Sequence, residues 1–395
     1  MDTLSAQQLS AKKLGIKCSK LFMSFVHWII AECKKNGINK LFFLAREGEF
    51  FQRIYYCLNE HTDIHTQLLM ISRMSTFLPS MGQFMRHDWN RFLGQYGNQS
   101  VRNLIMSLGL PEGELERLFE TKGLVLDKSI MNQLDLFYEA VESSEIHEYL
   151  MEKSSLARED TVCYLHTMGF DRSDDIVAVV DIGWRGTIQD NLCYLFPDKI
   201  IFGYYFGLIP FLNEQPANAI KRGFVNRFPF SGMLLKSHTQ LEMLCTSPRG
   251  STLFYVKDNT GECHPVFENN EQDVNSWNRY TRFFQDGVIA GAHEDYQQGT
   301  AAILWLTIFP NKGMSRAFFS FQYSERFGLG KNVDQTKVAF SAKMFLRGGS
   351  GRKGLRELQE YLNGTMWPQA FLRIHGLSWL IPFYNIILIF KTRGQ

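Results

Sequence analysis

Ile176-Val177-Ala178-Val179-Val180-Asp181-Ile182-Gly183-Trp184-Arg185-Gly186-Thr187-Ile188-Gln189 reads as an apolar run, an aspartate, a glycine-bracketed loop and a helix start. Uninterrupted apolar residues mark a parallel strand buried on both faces. Strands of that kind deliver ligand-binding loops at their carboxyl ends. Gly183 and Gly186 permit tight turns and close approach of the backbone to a ligand. N–H groups over 186–189, at a helix start, suit a phosphate, and Thr187 adds a hydroxyl donor. The same residues also read as strand, turn and helix cap with no ligand.

A second stretch has the same grammar: Lys40-Leu41-Phe42-Phe43-Leu44-Ala45-Arg46-Glu47-Gly48-Glu49-Phe50-Phe51. It predicts a strand over 39–45, a loop carrying Arg46, Glu47 and Gly48, and a helix over 50–58 that buries Phe50, Phe51, Ile54 and Tyr55. One loop brings a cation and a glycine, the other an aspartate and Gly-Thr. Facing each other across a sheet edge, they suit a ligand with phosphates at both ends. A further strand over 67–71 ends in Ser72-Arg73, where Arg73 is a third strand-end donor or a surface or helix-start arginine.

Outward from these strands, 5–36 reads as a helix with Leu21, Phe22, Phe25, Ile29 and Ile30 on one face, stopped by Asn36-Gly37. Polar helical segments fill 89–96, 101–108, 112–121 and 127–152, with Pro111 near one start. A helix over 158–169 leads into the central strand. A helix over 188–196 and a strand over 199–208 follow it, and 223–230 is an edge strand or a loop. Leu241-Glu242-Met243-Leu244-Cys245-Thr246-Ser247-Pro248-Arg249-Gly250-Ser251-Thr252 is a helical turn running into a Pro-Arg-Gly-Ser loop. Arg249 and Ser251 there are ligand donors or ordinary loop residues. A hairpin over 253–264 turns at Asp258-Asn259. Residues 268–308 read as helical, and Gly348-Gly349-Ser350-Gly351-Arg352-Lys353-Gly354 as a basic loop. The apolar tail over 370–391 is interrupted by Arg373, Pro382 and Asn385. It is a buried terminal helix or an interfacial segment with Trp379 and Tyr384 at the headgroups.

The pattern predicts an α/β protein: a mainly parallel, Rossmann-like sheet with helices on both faces and a helical insertion. The core comes from 1–81 and 155–265, the insertion from 82–154, and a mainly helical region with the apolar tail from 266–395. A net charge of +2 on 395 residues argues against a general nucleic-acid binder. The seven cysteines show no C-x-x-C spacing and read as reduced core residues of a cytoplasmic protein. The polar stretch over 1–17 does not read as a signal peptide. No Walker A, G-x-S-x-G, H-E-x-x-H or D-x-D sequence occurs, and no G-x-G-x-x-G follows a strand. The second aspartate of a haloacid dehalogenase-like phosphatase would fall at Gly183. His166 and His238 lie near the proposed loops but read as surface or packing residues.

Ala45-Arg46-Glu47-Gly48, and Val179-Val180-Asp181 through Gly186-Thr187, resemble in order the pyrophosphate loop and the ribose-5-phosphate loop of type I phosphoribosyltransferases. The second loop is shorter than in that class, has one acidic residue where two are usual, and lies far downstream. FFLAREGEFF, Ser72-Arg73, VVDIGWRGTIQ, LEMLCTSPRGS and Met366-Trp367-Pro368 together resemble a more specific family, most closely over 15–255. This is the glycan phosphoribosyltransferase domain that accompanies a haloacid dehalogenase-like phosphatase in bacterial surface-polysaccharide ribofuranosyltransferases. The resemblance implies a diverged type I phosphoribosyltransferase-like fold and phosphoribosyl diphosphate (PRPP) as donor. It further implies Mg²⁺, a lipid-linked glycan acceptor, a separate phosphatase, and a cytoplasmic site of action with peripheral contact to the inner membrane. In the roles it implies, Asp181, Arg46, Glu47 and Glu242 are catalytic, with the general base open among Glu47, Glu49 and Glu242, and Asp181 also meets the metal. Ala45, Gly48, Arg73, Gly183, Trp184, Arg185, Gly186, Thr187, Arg249 and Ser251 bind substrate. The alternatives are a nucleotide-sugar-dependent glycosyltransferase and a non-catalytic polysaccharide-assembly protein.

Overall fold

The computed structural model describes residues 4–58, 63–111, 113–171, 175–228, 238–269, 271–291, 307–319 and 367–392, with 235, 358, 362 and 365 besides. The central apolar run forms strand β3 (Ile176–Asp181), flanked by β1 (Lys40–Leu44), β2 (His65–Leu69), β4 (Ile200–Tyr205) and β5 (Ala219–Gly223). All neighbours are parallel, in the order β2-β1-β3-β4-β5. The chain starts at β1, steps to one side for β2 and then crosses to the other side for β3. The order therefore reverses between β1 and β3, and ligands of open parallel sheets bind at such a point, beyond the carboxyl ends of the strands.

Strand side chains alternate between two cores. Leu41, Phe43, Ala178, Val180, Phe202 and Tyr204 face helices α1 (Ala6–Lys35) and α2 (Glu47–Leu58). Phe42, Leu44, Val177, Val179 and Ile201 face α8 (Ser144–Thr167) and α9 (Thr187–Leu195). Helices on both faces and a parallel sheet agree with the sequence reading. Helix α1 opens with a capping box between Ser5 and Gln8 and ends on Lys34 and Lys35, which complement its dipole. Among the described residues α1 alone is long and apolar enough to cross a bilayer, yet 61% of its apolar window is buried in this protein. It is a core helix here, crossed closely by the helix Arg282–Ala290 where Gly15 meets the Phe284 carbonyl and Gly287 meets Lys12.

The insertion comprises α3 (Arg73–Ser80), α4 (Arg86–Tyr96), α5 (Val101–Ser107), α6 (Glu114–Thr121), α7 (Leu134–Val141) and the first half of α8. It has its own core around Trp89, Phe92, Phe119 and Phe137. That core begins at Met74, ahead of the expected boundary at 82, and α8 runs unbroken through the expected boundary at 154. Ile146 and Leu150 of α8 pack in the insertion, whereas Tyr164 and Leu165 pack under the sheet. Helices expected at 127–152 and 158–169 are therefore α7 and one continuous α8.

Three boundaries move. Helix α2 begins at Glu47, so the first loop is only Ala45-Arg46. Arg73 opens helix α3, whose Ser72 cap accepts from the Ser75 N–H; Pro79 in its last turn hides it from a periodicity reading. The edge strand is β5, ahead of the expected 223–230; its residues are all half-buried and leave no apolar run. The expected hairpin is present as β6 (Thr252–Lys257) and β7 (Cys263–Phe267). In the tail, Ala370, Phe371, Leu372, Leu377 and Ile381 are buried, and Trp379, Phe383 and Ile386 are exposed. Helical segments run over Glu271–Ser276 and Arg282–Ala290; the rest of the expected helix over 292–306, the basic loop at 348–354 and Met366 lie outside the described residues.

Candidate active site at the β1–β3 switch point

Asp181 ends β3 half-buried. Burial pushes its carboxyl well above the usual range, and the charges of Glu47 and Glu242 push the same way. A hydrogen bond from the Ile182 N–H to Oδ1 (2.7 Å) and the charge of Arg73 oppose that rise. The structure thus gathers Asp181, Glu47, Glu242 and Arg73, which the sequence holds on four separate segments. Glu47 arrives on the first turn of α2, where a carboxylate also complements the helix dipole. Glu242 arrives on α10 (His238–Cys245).

Trp184 is buried, and its indole N–H donates to Glu242 Oε1 at 2.7 Å. It orients the carboxylate, while its ring meets His238 edge-on at 5.6 Å. The loop that carries Trp184 is held along the end of β4: the Gly207 N–H donates to the Ile182 carbonyl and the Ile209 N–H to the Trp184 carbonyl. Gly183 has φ 143°, and a Cβ there would run into the Gly207 carbonyl. Gly186, at φ 69°, caps α9 in the left-handed region, where a side chain would meet the Tyr205 hydroxyl. Both loops contain a cis peptide bond, Ala45–Arg46 and Gly183–Trp184.

The remaining candidates divide. Arg46 is half-buried between β1 and α2 and has no ion-pair partner among the described residues. Arg73 is exposed and donates from Nη1 to the Tyr96 hydroxyl at 3.2 Å. Thr187 donates to Gln95 Oε1 at 3.1 Å, and Arg185 donates from Nε to the Pro210 carbonyl. Ala45 is tied to the next strand, its N–H donating to the Leu69 carbonyl. Gly48 packs on the backbone of Phe43 and lets α2 close against β1. Arg249 stands with Glu49, Nε to Oε2 at 3.3 Å. Ser251 opens β6 through its backbone, its carbonyl accepting from the Glu268 N–H.

Sequence reasoning missed three contributors. Gln95 and Tyr96, on α4, reach from the insertion to Thr187 and Arg73, the helix starts after β3 and β2. Lys221, on the edge strand, donates to the Arg185 carbonyl at 2.8 Å and pairs with Asp190 at 2.6 Å, both side chains buried. A lone lysine in Ala219-Ile220-Lys221-Arg222-Gly223 carries no local signal for that role.

Carboxylate oxygens are the hard donors that Mg²⁺ takes, commonly one or two of them with substrate phosphates completing the shell. Asp181, Glu47 and Glu242 fit that chemistry. Among the described residues, three metal-type donors converge more tightly at Asp258, Glu262 and His264 on the exposed hairpin turn. There Asp258 accepts from His264, Thr260 and Glu262, which draws its carboxyl below the usual range. No family model matches this chain, and no curated protein matches it.

Proposed function

We propose that the chain transfers 5-phosphoribosyl from PRPP to a hydroxyl of a bacterial surface-polysaccharide glycan, on a diverged type I phosphoribosyltransferase-like core. The observation that carries this reading is the half-buried Asp181 at the end of β3, in electrostatic reach of Glu47, Glu242 and Arg73, at the switch point of the sheet. Glu47 and Glu242 beside Asp181 favour positive charge developing on a ribose ring. Arg73 is the cation in electrostatic reach of Asp181.

The acceptor oxygen attacks C1 as the C1–O bond to pyrophosphate breaks, and the electron pair leaves with pyrophosphate. Inversion of the α-configured donor gives a β-ribofuranoside 5-phosphate. Glu242, oriented by Trp184, takes the hydroxyl proton. Arg46 and Arg73 stabilise the departing pyrophosphate. The α9 amino end, opened by Gly186 and Thr187, takes the 5-phosphate, with Arg185 beside it. Mg²⁺, when bound with the donor, offsets charge on the pyrophosphate oxygens. A separate phosphatase then removes the 5-phosphate. The enzyme works in the cytoplasm on a lipid-linked acceptor, with the exposed stripe Trp379, Phe383 and Ile386 resting on the inner membrane.

The test is a thermal-shift titration with PRPP and Mg²⁺, beside UDP- and GDP-sugars, on wild type and Asp181→Ala. Ligand stabilises the native state as RT ln(1 + [L]/Kd). A shift with PRPP that the variant loses is the expected result. A shift with a nucleotide sugar alone moves the assignment to a nucleotide-sugar glycosyltransferase. Transfer at the wild-type rate by Asp181→Ala would overturn the site.

A further inference from the structure

We infer that the cleft between α2, the 246–248 loop and the helix Arg282–Ala290 binds a neutral sugar ring. Its role as the acceptor subsite rests on the transferase reading above; its chemistry does not.

The cleft has a volume of about 360 Å³, within the roughly 300–1,000 Å³ of small-molecule sites. Its charges are balanced within its own wall. Arg53 Nη2 stands 3.0 Å from Asp286, and Arg53 Nη1 donates to Gln285 Oε1 at 3.1 Å. Arg282 Nε lies 3.9 Å from Asp286, and Glu49 on the rim pairs with Arg249. A phosphate or carboxylate ligand would have to break these pairs. Vicinal hydroxyls would not, because each can donate to a carboxylate or amide oxygen and accept from a guanidinium together.

Trp277 supplies the apolar wall. It opens a single π-helical turn, Trp277–Thr281, a rare insertion found often at functional sites. Its indole N–H donates to the Thr246 carbonyl at 3.0 Å, so the half-buried ring is fixed before any ligand arrives. An aromatic face is electronegative and suits the C–H face of a sugar. The cleft also adjoins the carboxylates. Glu49 and Phe50 of its wall share the start of α2 with Glu47, and Ser247 and Pro248 follow α10, which carries Glu242.

The experiment is saturation-transfer NMR on the full chain with the methyl glycosides of glucose, galactose, mannose, N-acetylglucosamine and N-acetylgalactosamine. Glucuronic acid and inorganic pyrophosphate are the charged controls. At least one neutral glycoside is expected to bind, with affinity reduced at least about tenfold by Trp277→Ala or Arg53→Gln and kept within about threefold by Trp277→Phe. Circular dichroism checks that each variant is folded. No binding by any neutral glycoside, or binding untouched by both Trp277→Ala and Arg53→Gln, overturns the assignment. The two readings fail separately. A PRPP shift without glycoside binding removes only the cleft, and glycoside binding without a PRPP shift supports the cleft and removes its acceptor role.

Discussion

Asp181 shows how one residue sets function against stability. A carboxyl drawn out of water in reach of two other carboxylates is unfavourable when ionised, which raises its pKa. The sign follows directly. With the folded pKa above the unfolded one, the folded state holds an extra proton in between, so stability is present at low pH and is lost as pH rises through the folded value. Asp181→Asn keeps the shape and removes the charge. In metal-free protein the variant should therefore melt higher than wild type at neutral pH. It should also lose less stability than wild type on going from pH 4 upward, read from Tm against pH, and it should be inactive in transfer. A variant that melts lower at neutral pH would show that Asp181 is ionised and well satisfied in the free protein.

Elements deliver such residues, and here the loop after β3 depends on its neighbour. Lys221 reaches from β5 to hold the Arg185 carbonyl, and its ammonium sits on Asp190 in the first turn of α9. Burial lowers the Lys221 pKa and raises that of Asp190 to about 6, so each depends on the other to stay charged. Breaking one side of a buried pair costs roughly 3–5 kcal/mol. Lys221→Met should destabilise by that order at neutral pH in denaturant titrations, with the deficit shrinking at acid pH as Asp190 takes up a proton. Lys221→Met with Asp190→Leu should recover much of the loss; no recovery would mean that the contact to Arg185 matters more than the pair. This scale also shows what was legible in the sequence. Runs of apolar residues placed β1, β3 and β4 because strands buried on both faces need them. The half-buried β5 and the Pro79-bearing α3 had no such run. Gly183 was legible as a turn glycine, but the group it approaches, the Gly207 carbonyl, belongs to the neighbouring strand and left no local trace. The four members of the Asp181 cluster were each named from strand-end grammar or family resemblance, yet only the sheet order brings them together. Gln95, Lys221 and Trp277 reach their partners across the tertiary structure and were not singled out.

At the scale of the whole molecule, the site is bounded by three bodies of different origin. The sheet supplies Asp181 and the helices packed on it Glu47 and Glu242, and the insertion holds Arg73 through Tyr96 and Thr187 through Gln95. The C-terminal segment joins the core on the α1 face of the sheet, with Trp367, Phe371 and Ile381 buried. The same segment turns Trp379 (60% exposed), Phe383 (61%) and Ile386 (51%) outward. Spaced four and three residues apart, they form one stripe at helical period. Water gains nothing from an ordered tryptophan and phenylalanine side by side, whereas the headgroup boundary of a bilayer accommodates both. A lipid-linked acceptor would be presented at that boundary, so attachment there would raise its local concentration at the enzyme. Wild-type protein should cosediment with vesicles of phosphatidylethanolamine and phosphatidylglycerol. Trp379→Ser with Phe383→Ser should stay in the supernatant with Tm little changed, because both side chains face solvent in the free protein. The double variant should still act on a soluble acceptor while losing activity on a lipid-linked one. Equal sedimentation of the two proteins, or none by wild type, would detach the enzyme from the membrane and leave the stripe as surface.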